Sequence, residues 1–303
     1  ESPLYRSLNR YLQERFGQRV YKVTIDAGFT CPNRDGTIGT GGCIYCNNQG
    51  FSPATALRSG SVGEQIASGV ERLRRRYGAT KFLAYFQPFT NTYAPVDELK
   101  SRYEQALQFP EVVGMCIGTR PDCVADEVLS LLQSYAQHKE IWLEYGLQTI
   151  HDRTLALIQR GHDFKTFLNT LERTRNRGIR ICVHVILGLP GETLEMMMET
   201  IDAVAQMGVQ GIKFHVLHVL CETPLEQMYQ EGNLLLLSED AYVSLVSDSL
   251  ERLPADMVIH RLASDAPREW LVAPEWCLHK NQTISKIQQG LMSRGTGQGC
   301  RRQ

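Results

Sequence analysis

The chain has 303 residues, and its 32 Lys and Arg residues nearly balance its 33 Asp and Glu residues, so the formal net charge is −1. This balance excludes the globally basic footprint of many nucleic-acid-binding domains, and a hydrophobic content of 43% is ordinary for a globular protein. No segment approaches the roughly 20 apolar residues that span a bilayer. With nine Cys and no secretory signal, we expect a cytoplasmic protein.

Strand-like and helix-like segments alternate along the chain. Apolar residues at helical spacing, such as Val62, Ile66 and Val70, predict helices between the strands. Strands that alternate with helices favour a parallel sheet, so we predict an α/β fold with a partial (βα)6 barrel and its chemistry at the strand carboxyl ends. Short runs rich in Val, Ile, Leu, Phe and Tyr predict the six strands at 20–26, 81–86, 112–118, 141–147, 180–187 and 211–219.

The pattern changes in the last quarter of the chain. A predicted helix near 238–252 precedes a possible strand at 257–262. We therefore divide the chain into a barrel core with its N-terminal segment, residues 1–235, and a C-terminal α/β extension packed on the barrel, residues 236–303.

Three cysteines, Cys31, Cys43 and Cys46, lie in one loop after the first predicted strand, and the next cysteine is Cys116. A closed iron–sulfur cluster takes four Cys ligands, and a structural zinc site also takes four ligands. Three thiolates on a four-iron cluster would leave one iron open to a small molecule. Two alternatives stay open: a zinc knuckle completed by a distant residue, and a disulfide with a spare thiol.

The order of first strand, cysteine loop and barrel resembles the radical S-adenosylmethionine (SAM) superfamily. The spacing C-x11-C-x2-C, with Tyr45 before the last cysteine, resembles the branch that contains the catalytic subunit of Elongator and the bacterial YhcC/YtqA family. The resemblance covers nearly the whole chain. Its supporting runs are Cys31-Pro-Asn-Arg-Asp-Gly, Tyr85-Phe-Gln87, Gly118-Thr-Arg-Pro-Asp-Cys123, Gly146-Leu-Gln148, Arg160-Gly-His-Asp163 and Gly188-Leu-Pro-Gly191.

The resemblance implies a radical SAM enzyme with a [4Fe-4S] cluster held by Cys31, Cys43 and Cys46, and with SAM on the open iron. In such enzymes an electron from an external donor, of flavodoxin or ferredoxin type, cleaves SAM reductively. The products are methionine and a 5′-deoxyadenosyl radical, which abstracts a hydrogen atom from the substrate.

Residues at the carboxyl ends of the predicted strands are candidates to hold SAM. Gln87 to Asn91 occupy the place of a Gly-Gly-Glu-like turn that receives the SAM amino group in the superfamily. The Glu is missing here, so backbone carbonyls could accept the ammonium, and a plain βα loop is the alternative. Glu144 and Gln148 differ by four positions, so an unbroken strand would place both on one face. The resemblance suggests that Gln148 contacts the ribose.

Two further candidates for the SAM site follow the fourth and fifth strands. Arg160 could pair with the SAM carboxylate, since Arg suits bidentate recognition, or could form a surface ion pair. Gly188, Leu189 and Pro190 begin a turn that flanks the adenine in the superfamily. A tight strand–helix turn explains the same glycines almost as well.

Other polar residues are candidates to meet the substrate. His184 and His215 could point into the barrel, although a lone His is more often a satisfied core residue. Arg261 and Trp276 in the extension are candidates to cap a substrate cavity.

The resemblance implies a cytoplasmic enzyme that acts on tRNA and removes the carboxymethyl group from 5-carboxymethylaminomethyluridine at the wobble position. Against this stand the net charge near zero and the lack of a separate RNA-binding domain. The alternatives are a radical SAM enzyme acting on a small metabolite and a non-catalytic iron–sulfur sensor or partner protein. The candidates for tRNA phosphate contacts are Arg34, Arg261, Arg294, Arg301 and Arg302.

Overall fold

The computed structural model describes residues 4–47, 60–264 and 266–302. Within them, seven parallel strands form one sheet that curls into a half-barrel, in the order β1-β2-β3-β4-β5-β6-β8. The strands of the chain are β1 (Tyr21–Ile25), β2 (Phe82–Phe86), β3 (Val112–Thr119), β4 (Glu140–Gln148), β5 (Arg180–Leu187), β6 (Gly211–Val216), β7 (Val219–Leu220), β8 (Val258–Arg261) and β9 (Leu271–Ala273). β7 and β9 form a separate antiparallel pair.

Helices precede and connect the strands, and those that connect neighbouring strands of the main sheet cover its outer face. They are α1 (Leu8–Phe16), α2 (Val62–Tyr77), α3 (Val96–Leu107), α4 (Asp126–Ala136), α5 (Asp152–Leu157), α6 (Phe164–Thr174), α7 (Leu194–Gln206), α8 (Pro224–Gln230), α9 (Glu239–Arg252) and α10 (Lys280–Arg294). Two short 3₁₀ helices span Pro121–Cys123 and Glu275–His279. No helix in the described part of the chain is long and apolar enough to cross a bilayer.

Helix ends are fixed by local hydrogen bonds. α2 begins with a capping box, in which the Ser61 side chain accepts from the Glu64 backbone and the Glu64 carboxylate accepts in return from the Ser61 backbone. Asp163 and Thr193 cap α6 and α7 in the same side-chain-to-backbone manner. These caps set where each strand–helix loop stops, and therefore which residues remain at the mouth of the half-barrel.

Side chains alternate between the two faces of β4, the central strand of the sheet. Every β4 residue is buried, so the two faces of the strand differ in polarity and not in exposure. The outward residues pack with the helices: Ile141, Leu143, Tyr145 and Leu147. The inward residues include the polar ones: Glu140, Trp142, Glu144, Gly146 and Gln148.

Helix α1 fills the lower part of the half-barrel. Its Leu8, Tyr11 and Leu12 form a buried cluster with inward residues such as Trp142 and Cys182. The Tyr11 ring meets Trp142 edge-on at 5.6 Å, and the Tyr11 hydroxyl donates to Glu140 at 2.5 Å. The interior is therefore packed at the amino-terminal end of the strands and open only towards their carboxyl ends.

All six predicted strands are present, and the partial barrel is confirmed. The predicted strand at 211–219 is interrupted, because β6 ends at Val216 and the chain then leaves the sheet so that Val219 pairs with Ala273. The possible strand at 257–262 is β8, which adds a seventh parallel strand beside β6. Residues 236–303 therefore share the barrel sheet, and the division at residue 235 stays a prediction.

Candidate functional site

A cavity of about 350 Å³ lies inside the half-barrel, at the carboxyl ends of the strands. Two groups of residues line its opposite parts. We call the first the cysteine end: Cys31, Cys43 and Cys46 with Arg34, Arg120 and Arg160. We call the second the charged end: Tyr85, Glu144, His184, Lys213, His215 and Arg261.

The cysteine loop is held by its own backbone and by neighbouring loops. The Arg34 amide donates to the Cys31 carbonyl at 2.8 Å, and the Cys46 amide donates to the Cys43 carbonyl at 2.9 Å. Ile44 bonds Ile158 after α5, which ties the loop to the barrel wall. Together with further bonds inside the loop, such as that from the Gly42 amide to the Asn33 carbonyl at 2.7 Å, they hold the three cysteines at the cavity.

Each cysteine of this loop has an arginine beside it. Arg120 Nη1 lies 4.0 Å from Cys31 Sγ, and Arg160 Nη1 lies 3.6 Å from Cys43 Sγ. Arg34 Nη2 donates to the Cys46 carbonyl at 2.6 Å. Positive charge beside a sulfur favours the thiolate, which is the form that binds metal.

Burial raises the pKa of the Cys46 thiol to about 11, and Cys43 adds to this rise, whereas Arg34 opposes it. A metal bound there must displace the thiol proton, because only the thiolate is a ligand. The neighbouring arginine charge lowers the cost of that deprotonation.

The arginines of the cysteine end are themselves bonded within the protein. Arg120, which is 2% exposed, is bidentate to Asp122 at 3.0 and 2.7 Å. Arg160 lies in the loop after α5 and donates through Nε and Nη2 to the Gly146 carbonyl at 3.1 and 2.8 Å. A Cβ on Gly146 would lie 2.5 Å from Arg160 Nη2, so glycine is needed for this close approach. The pairing of Arg160 with the SAM carboxylate stays a prediction.

The donor set of the cysteine end fits an iron–sulfur cluster. All nine cysteines are free thiols, and within the described ranges no three His, Cys, Asp or Glu side chains converge on a single metal ion. A zinc ion binds sulfur at about 2.3 Å, which draws its ligands close together. A structural zinc site would also need a fourth ligand, whereas three thiolates that line one cavity can each bind one iron of a four-iron cluster.

The structure places Gln148 on the cavity wall in an unusual backbone conformation. Its φ is 76°, and the pairing of β4 with β5 shifts between Gly146 and Gln148, so the strand is broken there. The Gln148 side chain is 9% exposed, and its Oε1 is buried without a hydrogen-bond partner. Positive φ outside glycine costs about 1–3 kcal/mol and is concentrated at functional sites. Gln148 therefore offers a ligand an acceptor that the protein leaves unused.

In the loop after β2, the first residue lines the cavity, whereas Asn91 lies outside the lining. Gln87 lines the cavity, as does Phe89, which also has a positive φ of 61°. Asn91 does not line it: its Nδ2 donates to the Pro88 and Gly118 carbonyls, each at 2.9 Å, and it is fully buried. Asn91 therefore ties this loop to the end of β3, and its predicted contact with SAM stays a prediction.

The turn after β5 also lies outside the cavity lining. Gly188 has a φ of 91°, faces Leu237, and donates its amide to Met197 Sδ at 3.2 Å. Leu189 and Pro190 are buried. The predicted role of these residues beside the adenine stays a prediction.

At the charged end, Glu144 is the only carboxylate among the described residues that line the cavity. It accepts from Lys213 Nζ at 2.9 Å and from His184 Nε2 at 2.8 Å. His260 Nδ1 lies at 3.3 Å, and Lys22 Nζ at 3.8 Å. Burial would raise the pKa of Glu144, but Lys213 and Lys22 hold it well below its usual range. Glu144 is therefore ionised, and both of its carboxylate oxygens have hydrogen-bond partners.

The histidines beside Glu144 are held neutral. Burial and Lys213 lower the pKa of His184 to about 3, and burial also lowers that of His260 to about 4. Burial and Arg261 hold the pKa of His215 well below its usual range. The expectation that His184 and His215 face the interior is confirmed, since both line the cavity with ring centroids 5.0 Å apart.

Sequence reasoning missed Lys213 and Tyr85, which contact each other through Lys213 Nζ and the Tyr85 hydroxyl at 2.5 Å. Both lie within predicted strands, and a single inward polar residue is difficult to recognise in a mostly apolar run. A lysine in the predicted strand 211–219 was the available signal, because a buried ammonium needs a partner.

The extension contributes one of its two candidates to the cavity. Arg261 lines it, whereas Trp276 packs on Tyr242 at 5.3 Å between ring centroids and donates to the Leu237 carbonyl. In the tail, Arg294 and Arg301 both form ion pairs with the buried Glu251. These pairs reduce the positive charge that the tail could offer to phosphates.

Comparisons with known proteins agree with this geometry. The family model of the radical SAM superfamily matches residues 34–204, and that of the radical SAM C-terminal domain matches residues 209–293. The chain is 44% identical to the uncharacterized protein YtqA of Bacillus subtilis, over 97% of this chain and 92% of that protein. It is 43% identical to protein YhcC of Escherichia coli K12, over 88% and 85% of the two chains.

More distant similarities involve a tRNA uridine(34) acetyltransferase and an Elp3 protein. A tRNA uridine(34) acetyltransferase of Methanocaldococcus infernus is 26% identical over 53% of this chain and 30% of that protein. The solved structure of the archaeal Elp3 of the same organism superimposes with a TM-score of 0.66 at 16% identity, covering 92% of this chain and 64% of that one. At this identity, the superposition shows a shared fold.

Proposed function

The chain belongs to the radical SAM superfamily, and on that premise we propose that it removes the carboxymethyl group from 5-carboxymethylaminomethyluridine at the wobble position of tRNA. Members of this superfamily are enzymes that use a [4Fe-4S] cluster, SAM and an electron donor. In the proposal, Cys31, Cys43 and Cys46 hold the cluster. The donor is a flavodoxin or ferredoxin, and the compartment is the cytoplasm.

The observation that carries the proposal is the two-ended cavity, in which the cysteine end and the charged end share one enclosed space. When bound, the cluster and SAM supply a radical that abstracts a hydrogen atom. The chain must bind the reactants, orient them and exclude water. Gln148 Oε1 is the proposed acceptor for a ribose hydroxyl of SAM, and the charged end is the proposed binding site for the substrate substituent.

The choice of tRNA rests on the relatives. The name of one distant relative, tRNA uridine(34) acetyltransferase, specifies the wobble uridine, and the fold of Elp3 supports a common scaffold. The substituent of 5-carboxymethylaminomethyluridine carries an amine and a carboxylate, which suit a cavity lined by buried charged groups.

The proposal is tested with reconstituted enzyme, reductant, SAM and tRNA isolated from a strain that lacks the gene. We expect 5-carboxymethylaminomethyluridine to disappear from the nucleoside profile and 5-aminomethyluridine to appear, together with 5′-deoxyadenosine. SAM is the net two-electron oxidant, and the oxygen of water replaces the amine nitrogen on the lost fragment, which should therefore leave as glyoxylate. The Cys43→Ala protein is the matched control and should produce none of these changes.

The outcomes separate the alternatives. SAM cleavage with an unchanged nucleoside profile would favour a small-metabolite substrate. SAM binding without cleavage, across several reductants, would favour the sensor.

A further inference from the structure

We propose that the charged end of the cavity is an anion-binding subsite that receives a terminal carboxylate of the substrate, with Arg261 as its principal contact. The proposed function supplies the identity of the carboxylate, so the inference rests on it to that extent. The subsite itself follows from the charges that the fold buries.

Arg261 lacks an acidic partner in the described parts of the chain. It lies at the end of β8 and lines the cavity. Its Nη2 contacts only the His215 ring, at 2.6 and 2.8 Å from the two ring nitrogens, and its Nε is buried without a partner. A partly buried guanidinium that faces a cavity without an anion is costly unless a ligand supplies the anion.

Neither neighbour of Arg261 can neutralise it. His215 is uncharged, because burial and Arg261 itself hold its pKa low. Glu144 is already bonded to Lys213 and His184. Lys22 and Lys213 both pair with Glu144, and Arg261 lines the same cavity, so among the described residues at this end three positive charges meet a single carboxylate, an excess of two.

The missing anion must sit at the end of a substituent. Below the charged end the interior is filled by Trp142, Cys116 and Cys182, which pack against α1. A backbone phosphodiester carries a sugar on each side, so it cannot enter a space that is closed below. A carboxylate at the end of a short chain can enter, and a carboxylate is the anion that a guanidinium binds best.

The first experiment probes the subsite without RNA. The melting temperature of the cluster-loaded protein is measured with increasing acetate, against chloride at equal ionic strength. We expect acetate to raise it saturably, because a ligand that binds only the folded state stabilises it. Arg261→Gln should abolish this rise. The matched control Arg252→Gln, which removes a surface arginine paired with Asp202, should retain it.

The same variants show whether Arg261 is a structural residue. Because the arginine is unpaired, Arg261→Gln should melt at or above the temperature of the unsubstituted protein without acetate. Arg261→Lys should keep part of the acetate effect. A large loss of melting temperature in Arg261→Gln would mean that Arg261 stabilises the fold, and this would overturn the proposal.

The second experiment identifies the carboxylate. Two anticodon stem-loops are compared, one with 5-carboxymethylaminomethyluridine and one with 5-methylaminomethyluridine, which keeps the amine but lacks the carboxylate. We expect the first to bind at least about 10-fold more tightly, the effect of one hydrogen-bonded charge pair. In Arg261→Gln the two should bind alike.

The two experiments test different parts of the proposal, so a negative result in one does not imply a negative result in the other. If acetate stabilises the protein but the two stem-loops bind alike, the subsite stands and the proposed tRNA substrate falls. If inorganic phosphate saturates at a lower concentration than acetate, the assignment to a carboxylate is overturned. If acetate acts no differently from chloride, or if Arg261→Gln keeps both effects, the subsite is overturned.

Discussion

The two ends of the cavity both carry arginines, but only one end satisfies them. At the cysteine end, Arg120 binds Asp122, Arg160 binds Gly146 beside Cys43, and Arg34 binds a backbone carbonyl. At the charged end, the one hydrogen-bond contact of Arg261 among the described residues is with a neutral histidine. The arginines of the cysteine end therefore have partners within the protein. In the proposed subsite, the charge of Arg261 is neutralised only when an anionic ligand binds.

The two ends of the cavity also differ in the interactions that hold them in place. The cysteine end presents three thiols on a loop that is held by backbone hydrogen bonds and by the packing of Cys43, Ile44 and Tyr45 against the barrel wall. The charged end is held by Glu144, whose partners come from β1, β5, β6 and β8. Substitutions should therefore affect cofactor loading at one end and stability at the other.

The largest effect is expected at the cysteine end. Replacing Cys31, Cys43 or Cys46 singly with Ala should reduce the iron content after anaerobic reconstitution from about four per chain to near zero, because three thiolates are the minimum set. Iron and sulfide analysis measures this, and Cys300→Ala, at an exposed cysteine, is the control. Full iron content in any of the three variants would contradict the assignment of these ligands.

The next largest effect is expected at the charged end. Glu144→Gln keeps the size of the side chain but leaves Lys213 and Lys22 without their anion, so the free energy of unfolding should fall by about 3–5 kcal/mol. Urea denaturation measures the change. Glu14→Gln, at an exposed carboxylate paired with Arg10, should have a much smaller effect, because water screens an exposed ion pair. Equal effects of the two substitutions would remove the distinction between a buried and a surface pair.

A smaller effect is expected from the pH dependence of stability. The folded-state pKa values of His184 and His260 lie at about 3 and about 4, below the value of about 6.5 in the unfolded chain. Below pH 6.5 the unfolded chain therefore binds protons that the folded chain does not bind. The free energy of unfolding falls as the pH drops from 6.5 towards 4. The depressed pKa of Glu144 adds stability that is present above about pH 4.5 and is lost as the pH falls further.

A single substitution sharpens the measurement. His260 faces Glu144 and the Trp142 ring, with Lys22 and Lys213 nearby. His260→Gln should make the fall between pH 6 and pH 5 shallower by about 1 kcal/mol per pH unit, the share of one proton. Urea titrations at each pH provide the slopes, and an unchanged slope would show that His260 already carries its proton in the folded protein.

The sequence predicts the sheet well because buried strands are apolar along their whole length. The six strands and the possible seventh are found, but the break after Val216 is not predicted, since it depends on the pairing of Val219 with Ala273 far along the chain. At the site, the cysteines are evident from spacing alone. Lys213 is not, because its partner Glu144 lies 69 residues earlier and only the curled sheet brings them together.

The inward row of β4 defines how far a substrate must reach. Strand residues rise about 3.3 Å each, so Glu144 lies about 7 Å below Gly146, the last residue before the break in β4, and Gln148 lies beyond that break. A uridine that remains stacked between its neighbours cannot extend a short substituent over that distance. If the proposed tRNA substrate is correct, the wobble nucleotide must therefore swing out of the anticodon stack, at a cost of a few kcal/mol. Turnover should then vary with how easily each anticodon loop releases that base, even among tRNAs that carry the same modification.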